Sequence, residues 1–411
     1  MQNTRTYSNY SLLLSLIIPF LILGPFSPDL IVSLSSLVFL IYVFKEKFFF
    51  YFTKRPLIIF FIFCVYCISV SIFVAKDMML SFESSLFYFR IGIFSCLIWY
   101  LFDQDKKILK YFYYALVISF SALIVDGYIQ FLTGTNIVGL RMQGFRISSF
   151  FGDELIIGSY LSRLFPLLFA LFIVKEKKIL ELYFMILFFL LLSGLILISG
   201  ERAAFFLYCL SFIFIIIFMK GYKKLRIAVS VGSLIVVIII ISSFDLVKNR
   251  MVSDPLGALT KSIFTPAHDS LIRTAYNMFL DKPLVGHGPK MFRIICKNEK
   301  YAVGIHSCDT HPHNFYVQLL AETGIIGFSF LFSAFAYVLY CAYRQLKSIV
   351  LKQKRYLTDY QVCLLAGILI TVWPLTTNGN FFHNWLMIVY SLPVGFYLHS
   401  IYGENKEKIS F

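Results

Sequence analysis

The chain has 411 residues, of which 59% are hydrophobic and 14% are charged, and its mean hydropathy is +0.79. This composition excludes an assembly of soluble domains and indicates an integral membrane protein. The formal net charge of +15 also invites a nucleic-acid-binding interpretation, which the distribution of lysine and arginine along the chain has to decide.

Apolar runs long enough to cross about 30 Å of hydrocarbon recur throughout the chain, with short basic connectors between them. We therefore predict an all-α polytopic membrane protein of about twelve transmembrane helices, in which residues 1–411 form a single integral membrane domain. The first run ends at Gly24-Pro25 without a cleavage motif, so we expect it to remain in the membrane. The predicted spans are 10–26, 28–44, 57–75, 84–102, 111–132, 156–174, 182–199, 203–219, 227–244, 313–343, 360–376 and 379–401.

Basic residues are concentrated in every second connector, which is the positive-inside pattern of membrane proteins. With the N-terminus in the cytoplasm, the cytoplasmic segments hold 22 of the 37 lysines and arginines, whereas the short external connectors hold five. The basic excess therefore sets the orientation of the chain, and we predict no nucleic-acid partner. The cytoplasmic segments are Arg5, 45–56, 103–110, 175–181, 220–226, 344–358 and the tail 402–411.

Ionisable residues at membrane depth are candidates for function, because they are costly there unless they pair or face a cavity. Asp126 lies near the outer end of the fifth run, and Arg163 lies about two turns inside the sixth. We predict either a buried pair between them or a functional role for Arg163. The external loop Thr133–Leu155 carries Arg141 and Arg146 among glycines and phenylalanines, a composition typical of loops that line sites.

Two further external arginines are Arg202, which follows the seventh run, and Arg273, which lies in the long hydrophilic segment 245–312. Arg202 is in the turn Ser199–Ala203, which is so short that its side chain either anchors a helix at the interface or lines a cavity. Arg273 lies on a predicted amphipathic helix, Ser270–Leu280, which a Pro- and Gly-rich turn follows. The segment is too short for a large independent enzyme domain, so any active site is expected to be shared with the helical bundle.

Cys296 and Cys308 lie in this external segment, where an oxidising compartment would permit a disulfide, and the sequence leaves the pairing open. The other six cysteines fall in apolar runs and are predicted to be packing residues. The histidines and Cys308 within residues 306–313 resemble metal ligands. However, Pro312 restrains the backbone there and structural zinc sites usually combine separated segments, so we predict no metal site.

The polar end of this segment runs directly into an apolar helix. Pro312 suits the first helical position, so His313 and Asn314 are predicted to lie in the opening turn. Gly324 and Gly327 return to the face of His313, and we expect these glycines to let a neighbouring helix approach closely. On the far side of that helix, pairing of Glu322 with another helix is predicted, and the later dipeptide His383-Asn384 is interpreted as packing.

The chemistry that these residues suit is transfer of a sugar from a lipid-linked diphosphate. Arginine recognises phosphate by paired hydrogen bonds, and guanidinium groups in a partly dry cavity can stabilise a diphosphate leaving group without a metal ion. The incoming hydroxyl must lose a proton, for which a neutral histidine is a natural acceptor. The sequence contains no P-loop, dinucleotide fingerprint or nucleophile elbow to support nucleotide or serine-hydrolase chemistry.

The run His313-Asn314, nine residues and Gly324-Ile-Ile-Gly327 resembles the signature of the O-antigen ligase family and the related O-antigen polymerases. Arg202 after the seventh run and the Arg273 helix before the signature are also similar to that family. The likeness is strong over residues 145–328, which we predict to be a ligase-like core region. The resemblance implies a GT-C-like fold with a periplasmic loop at 245–312. It also implies a multi-pass protein of the bacterial inner membrane with both termini in the cytoplasm.

By this resemblance, His313 would activate the acceptor hydroxyl, while Arg202 and Arg273 would bind the diphosphate of an undecaprenyl-linked glycan donor, without metal, nucleotide or other cofactor. The acceptor would be lipid A-core in a ligase or a second carrier-linked glycan in a polymerase, and we favour ligation. A lipid-linked glycan flippase or exporter is the alternative, but transporters tend to break helices at mid-membrane, whereas the polar residues here cluster on one side. Further substrate-binding residues predicted beside these are Arg141, Arg146, Arg163 and Asn314.

Overall fold

The computed structural model describes residues 2–176, 179–253, 265–403 and 411. Within these ranges the regular structure is helical, apart from two isolated antiparallel bridges in the loop 134–146. Backbone polar groups in hydrocarbon must be bonded within their own segment, which is why apolar runs of this length fold as helices. The α-helices are α1 (Gln2–Ser15), α2 (Ile17–Leu23), α3 (Phe26–Lys45), α4 (Arg55–Phe73), α5 (Met78–Leu86), α6 (Arg90–Gln104), α7 (Lys107–Thr133), α8 (Ile157–Val174), α9 (Ile179–Ile198), α10 (Arg202–Phe218), α11 (Lys223–Ser243), α12 (Asp245–Lys248), α13 (Pro266–Asp281), α14 (Phe292–Ile295), α15 (Phe315–Val350), α16 (Asp359–Thr371) and α17 (Asn384–Tyr402).

Ten helical segments in the described part of the chain are long and apolar enough to span a membrane, and α10 and α16 are shorter apolar helices. Helices α1 and α2 together form the first span, Arg5–Leu23, and α5 and α6 together form the fourth, Met78–Gln104. The predicted all-α, polytopic membrane fold is therefore confirmed. The predicted count of about twelve spans is not confirmed, because α10 and α16 are shorter than the other apolar helices.

Helix α8 lies inside the bundle, where it packs against α7, α10 and α16. Its side chains are buried on every face, as expected of a helix that is apolar all round. This position takes Arg163, in the second turn of α8, into the protein interior, where its side chain is 6% exposed.

Asp126, in α7, is fully buried but does not pair with Arg163. Its carboxylate accepts hydrogen bonds from Ser149 Oγ at 2.5 Å, from Asn136 Nδ2 at 3.3 Å and from the Ile137 amide at 2.9 Å. All three donors lie in the loop that follows α7, so Asp126 ties that loop to the bundle. The predicted pair between Asp126 and Arg163 is therefore wrong.

Helix α15 begins at Phe315, three residues after the predicted start at Pro312. Asn314 is its N-cap, and the Asn314 Oδ1 accepts hydrogen bonds from two amides of the first turn at 3.0 and 3.1 Å. Asparagine is among the strongest N-cap residues, and here that preference outweighs the preference of proline for the first helical position. His313 precedes the cap with a left-handed φ of 56°, so the prediction that it occupies the opening turn is wrong.

Helix α15 is broken at Gly324, whose φ of 63° is not helical. The turn Pro283–Gly288 inserts at the break and supplies backbone partners. The amides of His287 and Gly288 donate to α15 carbonyls just before the break, at 3.1 and 2.7 Å, and the Ile325 amide donates to the Pro283 carbonyl at 2.8 Å. The external segment is therefore joined to α15 by main-chain hydrogen bonds.

Two glycines at this junction are required by close backbone contact. A Cβ on Gly324 would collide with the Leu284 carbonyl, and a Cβ on Gly286, where φ is 66°, would collide with the backbone of α15. The expectation that Gly324 admits a neighbouring helix is wrong, since the backbone of the external segment is what approaches it. Gly327 does face a helix, because the Tyr66 ring of α4 would lie 3.3 Å from a Cβ added there.

Replacing Gly324 by alanine is expected to lower the free energy of unfolding by more than about 2 kcal/mol. A left-handed conformation alone costs an L-residue about 1–2 kcal/mol, and the collision with Leu284 adds to that cost. Gly139→Ala is the matched control, because Gly139 also has a positive φ, of 88°, but nothing lies within 4 Å of an added Cβ. Thermal unfolding of both variants in detergent measures the difference, and equal losses would contradict the close backbone contact.

A disulfide joins Cys296 and Cys308, the pairing that the sequence left open. It links the end of α14 to the segment that leads into His313. The external segment also has a small apolar cluster of its own, in which Met278 and Phe292 pack with Ala321 of α15. The disulfide thus closes a loop within the segment between α13 and α15, and main-chain and apolar contacts hold that segment against the bundle.

Candidate functional site

A cavity of about 1380 Å³ opens where helix ends meet, between the end of α2, the starts of α8, α10 and α17, and the segment before α15. Part of its lining is aromatic, with Phe151, Trp385 and Tyr390. An apolar cleft with a few convergent polar groups is the arrangement expected of a ligand site. The charged and imidazole side chains that line it are Arg146, Glu154, Arg163, Glu201, Arg202, Arg250, His268, Arg293, His311, His313 and His383.

His313 lies in this cavity beside two other histidines. Its Nε2 is 3.1 Å from Asp309 Oδ2, and its ring centroid lies 4.1 Å from that of His311 and 5.5 Å from that of His268. An Nε2–H that donates to Asp309 leaves the lone pair on Nδ1, so the carboxylate selects the tautomer of His313. Burial lowers the pKa of His268 and lowers the pKa of His311 to about 4, and the nearby imidazole of His313 adds to both shifts. These two neighbours are therefore neutral at pH 7.

One wall of the cavity is formed by Arg146, Arg202 and Arg250, and we call this group the Arg202 wall. The Arg202 Nε donates to the Arg250 carbonyl at 2.8 Å, and the Arg250 Nε donates to the Gly200 carbonyl at 3.4 Å. A terminal nitrogen of Arg146 donates to the Leu155 carbonyl at 2.9 Å. Guanidinium groups from three separate parts of the chain therefore share one wall, which suits an anion with more than one negative charge.

Glu201, next to Arg202, caps the start of α8. Its carboxylate accepts hydrogen bonds from the Gly158 amide at 2.6 Å, from the Ser159 amide at 3.1 Å and from the Ser159 hydroxyl at 2.6 Å. A carboxylate is stabilised at the positive end of a helix, although burial raises the pKa of Glu201 and these hydrogen bonds only oppose that shift. The capping fixes the turn between α9 and α10 and, with it, the position of Arg202.

Arg163 lies at the buried side of the cavity with partners on three sides. Its terminal nitrogens donate to the Ile370 carbonyl at 2.9 Å and to Asn378 Oδ1 at 2.7 Å, and its guanidinium lies 4.3 Å from the Tyr390 ring centroid. Ile370 is near the C-terminal end of α16, where a positive charge is favourable. The structure therefore gives Arg163 a role in holding α8, α16 and α17 together, and places it in the cavity lining as well.

Three residues predicted to bind substrate do not line the cavity. Arg273 is exposed on α13 and pairs with Asp269 at 2.8 Å. It lies five residues after His268, so it is on a different face of the helix from that cavity residue. Arg141 is exposed in the loop after α7, and the buried side chain of Asn314 is used within the protein. Of the predicted set, the structure brings Arg146, Arg163, Arg202 and His313 into one cavity.

Asn314 is a clamp as well as a cap, since its Nδ2 donates to the carbonyls of Pro374 and Thr376 at 2.7 and 3.2 Å. Asn314→Ala is expected to lower the free energy of unfolding by about 2–4 kcal/mol, because it removes an N-cap and two hydrogen bonds. Asn314→Ser, which retains a capping oxygen, should lose less. Thermal unfolding measures both variants, and a wild-type midpoint in Asn314→Ala together with lost activity would restore the predicted binding role.

The sequence-based prediction of the site missed seven charged or imidazole side chains that line the cavity, namely Glu154, Glu201, Arg250, His268, Arg293, His311 and His383. Four of them, Arg250, His268, Arg293 and His311, lie in the segment 245–312 but outside its predicted helix, so composition was the only available signal there. The interpretation of His383-Asn384 as packing is wrong, because both side chains are exposed at the start of α17.

Glu322 is buried at the centre of a hydrogen-bond network. Its Oε1 accepts from the Phe292 amide at 3.1 Å, and its Oε2 accepts from Gln318 Nε2 at 3.0 Å. Gln318 Nε2 also donates to Asn380 Oδ1, at 2.9 Å, in the cavity lining. The predicted pairing of Glu322 with another helix is thus a bond to the first amide of α14, and it fixes the position of that short helix.

The histidine cluster has no arrangement of ligands for a metal ion in the described residues. No group of three or more His, Cys, Asp or Glu side chains within those ranges could hold one. Cys308, a candidate ligand in the sequence, is bonded to Cys296.

Residues 186–332 match the family model described as O-antigen ligase. The matched region runs from α9 past the break in α15, and it includes Arg202, Arg250, Arg293 and His313. It overlaps the predicted core region 145–328 from residue 186 onwards. No curated protein matches the sequence.

Proposed function

Because residues 186–332 belong to the O-antigen ligase family, we propose that the chain is a membrane glycosyltransferase that moves a preassembled glycan from undecaprenyl diphosphate to an acceptor. The acceptor that we favour is lipid A-core, so that the reaction is O-antigen ligation. The observation that carries the proposal is that Arg202 and His313, from distant parts of the chain, line one cavity. One suits a leaving diphosphate and the other suits an acceptor hydroxyl.

In the proposed reaction, the acceptor hydroxyl oxygen attacks the anomeric carbon of the glycan, and the bond from that carbon to the diphosphate oxygen breaks. Nδ1 of His313 accepts the hydroxyl proton, and the Asp309 carboxylate stabilises the imidazolium that forms. Arg202, with Arg146 and Arg250 beside it, stabilises the negative charge that develops on the leaving diphosphate. The products are the glycosylated acceptor and undecaprenyl diphosphate, and the scheme uses no cofactor.

The cavity is proposed to open on the periplasmic side of a bacterial inner membrane. Its lining residues lie at the helix ends opposite to the basic connectors 45–56, 220–226 and 344–358. Short basic connectors stay in the cytoplasm of multi-pass membrane proteins. The cavity would therefore face the outer leaflet, where a lipid-linked donor is presented, and both termini would be cytoplasmic.

Reconstitution with the carrier-linked glycan and each candidate acceptor tests the proposal. Ligation predicts a product on lipid A-core, whereas polymerisation predicts a longer carrier-linked glycan. Movement of the donor across the bilayer without any covalent product would replace the transferase by a flippase or exporter. A deletion strain separates the two transferases independently, because loss of a ligase leaves free polymer on the carrier and bare core, whereas loss of a polymerase leaves core with a single repeat.

A further inference from the structure

Arg293 lines the cavity without an acceptor in the protein for its Nε. The side chain is partly buried, and its Nε is shielded from solvent without a hydrogen-bond partner among the described residues. The Nε of Arg146, in the Arg202 wall, is likewise shielded without a partner, whereas Arg163 and Arg202 each donate to a main-chain carbonyl. A guanidinium held in a cavity in this way suits an anionic ligand, to which arginine forms strong charge-assisted hydrogen bonds.

Arg293 belongs to the histidine side of the cavity. Burial lowers the pKa of His311, and the charge of Arg293 lowers it further. The ring centroid of His313 lies 4.1 Å from that of His311, so the proposed base is next to this group. The Arg202 wall interacts instead with main-chain carbonyls and with Glu201.

Two links fix Arg293 relative to His313. Arg293 lies on α14, whose first amide donates to the buried Glu322 Oε1 at 3.1 Å. Cys296, three residues after Arg293, is bonded to Cys308, five residues before His313. A hydrogen bond at one end of α14 and a covalent bond at the other therefore set the distance between this guanidinium and the proposed base.

We propose that Arg293 forms a second anion subsite, which binds a phosphate group of the acceptor while the Arg202 wall binds the diphosphate of the donor. The inference rests on the proposed function, since it assigns the acceptor side of the same cavity. The acceptor hydroxyl must reach His313 to lose its proton, and Arg293 is the cavity arginine that is tied to the His313 segment. Lipid A-core and a carrier-linked glycan both carry phosphate, so the same subsite fits either acceptor.

Equilibrium binding to purified, donor-free protein in nanodiscs tests the subsite separately from catalysis. The first probe is lipid A-core, with its phosphates or with them removed. The second probe is the carrier-linked glycan. It is measured with protein that carries Arg202→Gln, because this substitution weakens binding of the same molecule at the proposed donor site. Arg293→Gln is expected to weaken binding of one probe by roughly 10- to 100-fold, through loss of charge-assisted hydrogen bonds, and the probe affected identifies the acceptor.

Lys297→Gln is the matched control, because it removes a positive charge from the same segment at an exposed side chain outside the cavity. It should bind both probes as the parent protein does. If lipid A-core is the acceptor, removing its phosphates should weaken binding to the unmodified protein by a similar factor, a comparison that needs no folded Arg293 variant. Unchanged affinity of Arg293→Gln for both probes, or weakening equal to that of Lys297→Gln, would overturn the subsite. Binding that depends on Arg293 in a protein that transfers no glycan would overturn the transferase proposal and leave the subsite standing.

Discussion

His313→Ala is expected to lower the rate of glycan transfer by at least about 100-fold, because a positioned general base contributes roughly 10²–10⁴ to the rate. His313 is the cavity histidine whose Nε2 lies 3.1 Å from a carboxylate oxygen. It precedes α15, and its side chain is 31% exposed, so its removal takes little packing away and the protein should still fold and insert. The initial rate of product formation in proteoliposomes measures the effect.

His306→Ala is the control for this prediction. His306 is exposed in the same segment and does not line the cavity, so its loss should leave the transfer rate unchanged. Retained transfer in His313→Ala would remove the proposed base. Equal losses in the two variants would mean that the segment as a whole, and not the imidazole of His313, is required.

Arg202→Lys is expected to lower the transfer rate by roughly 100-fold or more, the size of effect that follows removal of one preorganised donor to a developing negative charge. The Arg202 Nε–H is held by the Arg250 carbonyl at 2.8 Å. A lysine ammonium cannot reproduce that contact and the two-pronged recognition of phosphate at once. The rate should fall with saturating donor as well, since charge on the leaving group develops as the bond breaks.

Arg344→Lys is the matched control for Arg202→Lys. Arg344 lies near the far end of α15, outside the cavity, where its guanidinium donates to the Tyr340 hydroxyl at 2.6 Å. The same substitution there should leave transfer unchanged. A wild-type rate in Arg202→Lys would reduce Arg202 to an interfacial anchor, the other role that its sequence position permits.

The helical framework could be predicted because each apolar run must satisfy its backbone hydrogen bonds within itself. The break in α15 could not be predicted in this way. Gly324 and Gly327 are compatible with a continuous helix that has a smooth face and equally with a kinked helix. The kink forms because the turn Pro283–Gly288 inserts at Gly324. The start of α15 was open to prediction, because the preference of Asn314 for the N-cap was present in the sequence.

The site was predicted in part, because its members come from segments that meet only in three dimensions. Arg202 and His313 were predicted from their positions at membrane boundaries, together with the family resemblance, and both side chains line the cavity. Arg163 was assigned the wrong partner, since Asn378, which it contacts, is 215 residues away. Arg273 was predicted by resemblance, but its face of α13 is turned outward and paired with Asp269. Contacts between residues far apart in the chain, and the orientation of a helix within a polar segment, produce no periodic pattern in a single sequence and so could not be predicted from it.

The proposed transfer is tested most directly by a structure of the protein with the undecaprenyl-diphosphate-linked glycan bound. We expect the diphosphate to lie in the cavity within hydrogen-bond distance of the Arg202 guanidinium, with the anomeric carbon on the side of His313. A donor diphosphate bound outside this cavity, or bound there with His313 unable to reach a hydroxyl at the anomeric carbon, would contradict it.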